Sequence, residues 1–372
     1  MIMMNPSTFF KKKVQEIGSI SFFDFMQMAL YEPIYGYYSG KKDVLGKQGD
    51  FVTAPELCPL FGYTIAHQIQ EIMPHTGPMV LEFGAGSGRL CIDILTQLNL
   101  KGQLPEHYFI LEVSENLRSL QQQTILQEIP ELFEKVVWLE RWPVDFCGVV
   151  VANEVLDAMP IHRFLWKNGE VFESVISYDS KQDALTEAFI LSQNPQLIDA
   201  VKALNLNPDA PYCSELNLWM SGWLSSLSAS IKQAVVLLFD YGYPQSEYYH
   251  PDRNEGTLMC HAKHYAHTNF LLHPGEQDIT AHVDFTAVAI EAVAQGFDVL
   301  GFCNQASFLL ANGILDSLNQ ETDTVKYQKL ATQSKVLLQP HEMGEIIKVM
   351  ALGKNYFEGL TGFKMFDRRV SL

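Results

Sequence analysis

Three glycines at alternate positions, Gly84, Gly86 and Gly88, follow a short apolar run in "LEFGAGSGRL" (81–90). Glycine takes positive φ at no steric cost and lets a ligand approach the main chain closely, which is why nucleotide-type ligands lie over such turns. The spacing is G-x-G-x-G. It lacks the third glycine of the dinucleotide fingerprint and the Lys-Ser/Thr ending of a P-loop, so an adenosine-type ligand without a pyrophosphate suits it better. A glycine-rich turn that holds no ligand is the alternative. Further on, "HYFILEVSENL" places Glu112 at the end of a second apolar run, with Ser114 positioned to cap a helix. A carboxylate at the end of the second strand is where doubly wound folds grip a ribose diol. Read alone, Glu112 would be a solvated strand end.

A second group of polar residues follows the apolar run in "VVVANEVLDAMPIHRF": Asn153, Glu154 and Asp157. Two carboxylates three residues apart can share one face of a turn and hold a planar guanidinium bidentately. Asp157 could instead form the turn or cap a helix. Asp240 in "LLFDYGYP" reaches the same edge or makes an ordinary Asp-Tyr-Gly turn. The segment "HPGEQDITAHVDFTAV" brings Asp278, Thr280, His282 and Asp284 close together; Asp284 reads as a helix N-cap, and His282 as either a proton acceptor or a core histidine. The candidate catalytic residues are therefore Glu154, Asp157 and His282. "CHAKHYAH" (260–267) groups a cysteine with three histidines but has no further ligands at matching spacing, so no metal site is expected.

The elements that would position these groups alternate along the chain. Strands are expected over 79–83, 107–112, 136–139, 147–152 and 234–240, and again in "FDVLGFC" and "IIKVMALG", with helical stretches between them. That alternation predicts an α/β fold with a doubly wound parallel sheet. Residues 1–75 form an N-terminal helical segment whose loop-rich centre is free to cap the site, and 76–158 the first half of the core. Residues 159–231 form an insertion on the substrate side, with a strand-like "VFESVIS" and a helix-like "ELNLWMSGWLSSL". Residues 232–372 complete the core, with a helical insertion around 304–339.

Composition narrows the partners. The chain has 372 residues and a net charge of −17, which repels phosphate backbones, and its one visible basic run, Lys11 to Lys13, is too short for a nucleic-acid footprint. A basic peptide or protein suits such a surface better. The six cysteines are scattered without a C-x-x-C pair, the opening apolar stretch is interrupted by Asp24, and no run is long enough for a membrane span. A reducing, cytoplasmic setting is the expectation.

In this order, "GDFVTAPE", "LEFGAGSGRL", "ILEVSENLRSLQ", "NEVLDAMPIHRF", "FDYG", "GTLMCHAKH", "HPGEQDITAHVDF" and "NQASFLLANGI" resemble the MidA family of S-adenosylmethionine-dependent methyltransferases over nearly the whole chain. Mitochondrial relatives in that family are protein arginine methyltransferases needed for respiratory complex I assembly. The resemblance implies a seven-stranded, Rossmann-like methyltransferase core with an N-terminal extension and an insertion, and S-adenosyl-L-methionine as cofactor. It places Thr53, Glu82, Gly84, Ala85, Gly86 and Gly88 around the cofactor, Glu112 on its ribose, and Asn153 with Glu154 on the sulfonium side. Ala85 and Ser87 stand where the family often has proline and arginine, and Val155 and Leu156 where it has paired phenylalanines. A protein arginine is the acceptor so implied; a small-molecule acceptor, or an assembly factor that binds the cofactor without turnover, are the alternatives.

Overall fold

The structure, a computed structural model, describes residues 4–40, 53–262 and 265–372. Seven principal strands form the central sheet among the described residues: β1 (Met79–Phe83), β2 (His107–Leu111), β3 (Val136–Leu139), β4 (Phe146–Asn153), β5 (Ile231–Tyr243), β6 (Asp298–Asn304) and β7 (Ile347–Lys354), with the two-residue strand Val283–Asp284 beside the end of β5. Their spatial order is β3-β2-β1-β4-β5-β7-β6. β1 to β5 run parallel, whereas β7 is antiparallel to both of its neighbours. The strand order reverses between β1 and β4, and ligands of open α/β sheets bind outside the carboxyl ends of the strands at such a switch point.

The unbroken apolar runs of β4 and β5 follow from burial on both faces. Val149, Val151, Val235, Leu237 and Phe239 pack on one side, beneath the long helix Pro59–Thr76 and the helix Arg89–Leu100. Val150, Ala152, Val236 and Leu238 pack on the other, against helices Met220–Ser230 and Phe285–Ala294. Both cores end at the same edge of the sheet, which fixes the β1 and β4 termini with little freedom.

The insertion builds its own antiparallel sheet from His162–Lys167, Glu170–Asp179, Ala184–Leu191 and Tyr212–Leu216. Ser19–Ser21 of the N-terminal segment pairs with Glu170–Asp179, and Phe10, Phe22 and Phe25 share a core with Ile161, Ile176, Phe270 and Ile279. The N-terminal segment is thereby bolted to the insertion across the open edge of the core sheet.

Two stretches depart from expectation. Glu215 and Leu216, placed in a helix by apolar spacing, belong to a strand opposite Arg163 and His162, and the helix starts at Met220. Long-range pairing overrides a local helical pattern there. Residues 244–282, read as plain core, leave the sheet to form a small one from Met259–Ala262, Tyr265–His267 and Asp278–Thr280, and Val283–Asp284 then pairs in parallel with Gly242 and Tyr243 at the end of β5. Strands of three or four residues carry too little periodicity to be seen in sequence. Among the described residues no helix is long and apolar enough to cross a membrane, and no group of His, Cys, Asp and Glu could hold a metal ion.

Candidate active site

The glycine loop lies between β1 and helix Arg89–Leu100. Gly84, Gly86 and Gly88 have φ of 59, 55 and 87°, and a Cβ on Gly88 would stand 3.2 Å from the Ile125 side chain. The turn is closed by Gly88 N–H donating to the Ala85 carbonyl (2.7 Å) and tied to β2 by Gly84 N–H donating to Leu111 (3.1 Å). Glu112 is nearly enclosed. Its carboxylate accepts from Ser114 N–H (2.9 Å) and Gln121 Nε2 (3.0 Å), and burial pushes its pKa up while those two donors pull it back. Gln121 also donates to the Gly86 carbonyl (3.0 Å) and accepts from Trp138 Nε1 (3.0 Å), so one amide spans loop and carboxylate. Glu82 faces inward beside Cys91 and accepts from the Tyr108 hydroxyl (2.7 Å); burial raises its pKa to about 8.

Beside the glycine loop lies a cluster of buried carboxyls at the ends of β4 and β5. Glu154 sits at φ 52°, a left-handed conformation that a bulky residue rarely holds without surrounding support. Support comes from its N–H donating to Phe239 (2.8 Å) and from Asp240, whose carboxylate accepts from the N–H groups of Val155, Leu156 and Asp157. Asp240 is thus the clasp of the loop, a role that the Asp-Tyr-Gly turn reading comes near but does not contain. Burial first, and then the charge of Asp157, raise the Glu154 pKa to about 8, while hydrogen bonds from Asn153 and the Ala54 N–H oppose the shift. Asp157 is pushed well above the carboxylate range by burial and by Asp240 and Asp278.

The N-terminal segment closes this side. Tyr31 donates to the Ala158 carbonyl and Tyr38 to Asp278 Oδ1 (2.9 Å each), with the two rings stacked at 5.7 Å. Ser114 and Asn116, at the start of the helix after Glu112, bond to the carbonyls of Tyr38 and Ser39. Thr53 is the N-cap residue of the short helix Ala54–Leu57, where Glu56 accepts from Ser87 of the glycine loop. Half of the "GDFVTAPE" motif (residues 49–52), with residues 45–48 of the expected cap, lies outside the described residues.

The three catalytic candidates are not brought together. Glu154 and Asp157 join the cluster. The His282 ring stacks instead on Tyr243 (5.3 Å), its backbone N–H donates to the Thr257 hydroxyl (3.0 Å), and Arg253 and Lys348 disfavour its charged form. Burial lowers its pKa to about 4, so it is neutral near neutral pH. Asp284 is a helix N-cap, accepting from Thr286 and Ala287 N–H. Tyr31, Tyr38, Gln121, Glu56 and Tyr241 were not singled out from the sequence; Gln121 ends the "ILEVSENLRSLQ" stretch, and only fold context gives it work. A wider depression at the opposite edge of the sheet, along Met73–Pro78 with Gln103 and Gln233, has no carboxylate.

Residues 64–303 match the family model described as "Putative S-adenosyl-L-methionine-dependent methyltransferase". The chain belongs to this MidA-type methyltransferase family. A Burkholderia thailandensis protein solved with S-adenosyl-homocysteine superposes on it with a TM-score of 0.93 and 35% identity, covering 99% of this chain and 97% of that one. The mitochondrial protein arginine methyltransferase NDUFAF7 of Danio rerio is 28% identical, covering 90% of this chain and 83% of the relative. The Homo sapiens protein of the same name is 26% identical, with 91% and 81% covered.

The residues of this methyltransferase fit S-adenosylmethionine. Asn153 Oδ1 is buried with no hydrogen-bond partner among the described residues, an acceptor waiting for a donor beside the glycine loop. Glu112 supplies an enclosed carboxylate for a diol. The positive-φ glycines leave the main chain open to close approach.

Proposed function

We propose that this methyltransferase methylates arginine side chains of a protein partner, with Glu154 and Asp157 holding the guanidinium. The observation that carries the reading is the convergence of Glu154 and Asp157, with Asp278 close by, all enclosed and with the first two pushed toward the neutral form. Like charges in a dry site cannot all ionise unless a cation enters. A guanidinium restores their charge and gains bidentate hydrogen bonds, whereas a neutral small acceptor would leave the crowding unrelieved. The names of the curated relatives support the same choice.

When bound, S-adenosylmethionine supplies a methyl group made electrophilic by its sulfonium. Glu112 receives the ribose hydroxyls, and Asn153 Oδ1 a donor on the same ligand. Glu154 orients the guanidinium and, as a nitrogen becomes a nucleophile, takes its proton at a carboxylate oxygen. Tyr31 and Tyr38 keep water from the carboxylates. The reducing, cytoplasmic setting expected from sequence is part of this proposal.

The test is incubation of the full chain with methyl-labelled S-adenosylmethionine and a host lysate, followed by amino-acid analysis. Label in methylarginine is expected. Label confined to small molecules would sink the protein-arginine reading, and cofactor binding with no transfer would make the chain a non-catalytic assembly factor.

A further inference from the structure

The chain has seven arginines, of which Arg141 is exposed to solvent. Arg89, Arg118, Arg163, Arg368 and Arg369 are in ion pairs. Arg253 has no ion pair or hydrogen bond through its guanidinium among the described residues, although it is half-buried in a protein of net charge −17. Its guanidinium lies 3.8 Å from the centroid of the Tyr243 ring. His282 stacks on the same tyrosine at 5.3 Å, and Tyr241 meets His282 edge-on at 6.2 Å. The Tyr241 phenol in turn feels Glu154, Asp157 and Asp240, and its hydroxyl has no partner among the described residues. A row of rings therefore starts at the carboxylates proposed to hold the guanidinium and ends at a cation with no ion pair among the described residues. The nearby Lys348 is already occupied by Glu345.

We propose that Arg253 is an anion-reading subsite that selects acceptor segments carrying an Asp or Glu about three residues from the methylated arginine. The proposal rests on the reading of Glu154 and Asp157 as the acceptor site. Tyr241 and Tyr243 are two apart in β5 and share a face, so a chain lying over them advances about 3.3 Å per residue and reaches Arg253 two to four residues from the target. A planar fork already fixed on an aromatic ring loses little freedom on gripping a carboxylate. In an acidic protein such a contact sets register and partner choice more than total affinity.

The test measures fluorescence anisotropy of labelled ten-residue peptides on the full chain with S-adenosylhomocysteine present. Each peptide has one central arginine, with Asp placed two, three or four residues to either side, or with Ala in its place. The wild type is expected to bind one Asp register about tenfold tighter than the Ala peptide. Arg253→Gln should level the two, Arg253→Lys should keep part of the preference, and Arg253→Glu should prefer a lysine in that register. Calorimetry with S-adenosylhomocysteine shows that each variant keeps its donor site. Equal binding of all peptides by the wild type, a preference that survives Arg253→Gln, or no binding at millimolar concentration overturns the subsite. Replacing the central arginine with norleucine separates the two readings: if the Asp register preference remains at undiminished affinity, the guanidinium site is wrong and the Arg253 subsite stands.

Discussion

The proposed donor and acceptor halves of this site lie side by side at one sheet edge and are built by opposite means. The donor half is made largely of main chain. Gly84 to Gly88 and Glu112 lie within two consecutive β–turn–helix units, and Gln121 stitches them together from the second helix. The acceptor half is made of side chains from segments far apart: Tyr31 and Tyr38 from the N-terminal segment, Glu154 and Asp157 after β4, Asp240 from β5 and Asp278 from the small sheet. Short-range structure makes a robust turn that one ligand can rely on. Long-range assembly makes a dry, charge-crowded chamber whose chemistry depends on every contributor, and where substrate identity is set.

The largest effect should come from the acceptor half. Glu154→Gln keeps the shape and removes the charge, so methyl transfer should fall by about 10³-fold while the cofactor Kd changes little. Parallel loss of both in calorimetry and turnover would move Glu154 to the donor half. The same variant should be more stable than the wild type. The Glu154 carboxyl has a folded pKa of about 8, above its unfolded value of 4.5, so its favourable protonated form is kept below 4.5 and stability is lost as pH rises through 8. Thermal unfolding should show a gain for Glu154→Gln that grows between pH 5 and pH 9, on the order of a few kcal/mol at the upper end. A gain independent of pH would mean that the carboxyl titrates in the folded protein as it does in the unfolded chain.

Next comes the turn. Gly86→Val adds a branched side chain at φ 55°, and cofactor affinity should drop by about 100-fold or more with the fold retained. Wild-type affinity in a folded variant would show that the loop bears no ligand.

These two halves were not equally legible in the sequence. The glycine spacing, Glu112 and the Ser114 cap all act within a few residues of one another, so local rules find them. β4 and β5 were legible as unbroken apolar runs because the sheet is covered on both faces. Glu154 and Asp157 were visible as polar residues at a strand end, but their crowding arises from Asp240 and Asp278, which only the fold delivers. His282 was drawn toward catalysis by nearness in sequence to Asp278 and Asp284, and the fold turned its ring to Tyr243 instead. The tyrosines of the N-terminal segment carry no motif at all; the pairing of Ser19–Ser21 with the insertion puts them there.

A smaller effect reads the crowding directly. With the carboxyl mostly protonated below pH 8, a cationic acceptor must displace that proton, so kcat/KM for the acceptor should rise up to tenfold per pH unit below about 8. Glu154→Gln should flatten that limb. An unchanged limb in the variant would assign the titration to Asp157 or Asp240, both also raised.

The smallest effect concerns the joint between the halves. The short helix Ala54–Leu57 touches both, since Glu56 accepts from Ser87 in the glycine loop and the Ala54 N–H donates to Glu154. If the helix transmits donor occupancy to the acceptor carboxyl, amides of 53–57 should exchange more slowly once S-adenosylhomocysteine is bound, because loop and helix then order together. Glu56→Gln weakens a charge-assisted hydrogen bond to a neutral one, which is worth about 1 kcal/mol, so cofactor affinity should fall about fivefold and the protection should shrink with it. The acceptor KM should rise by a similar factor at saturating cofactor, because Glu154 loses a firmly held N–H partner. A variant that weakens cofactor binding yet leaves exchange in 53–57 and acceptor KM untouched would show that the two halves share an edge and nothing more.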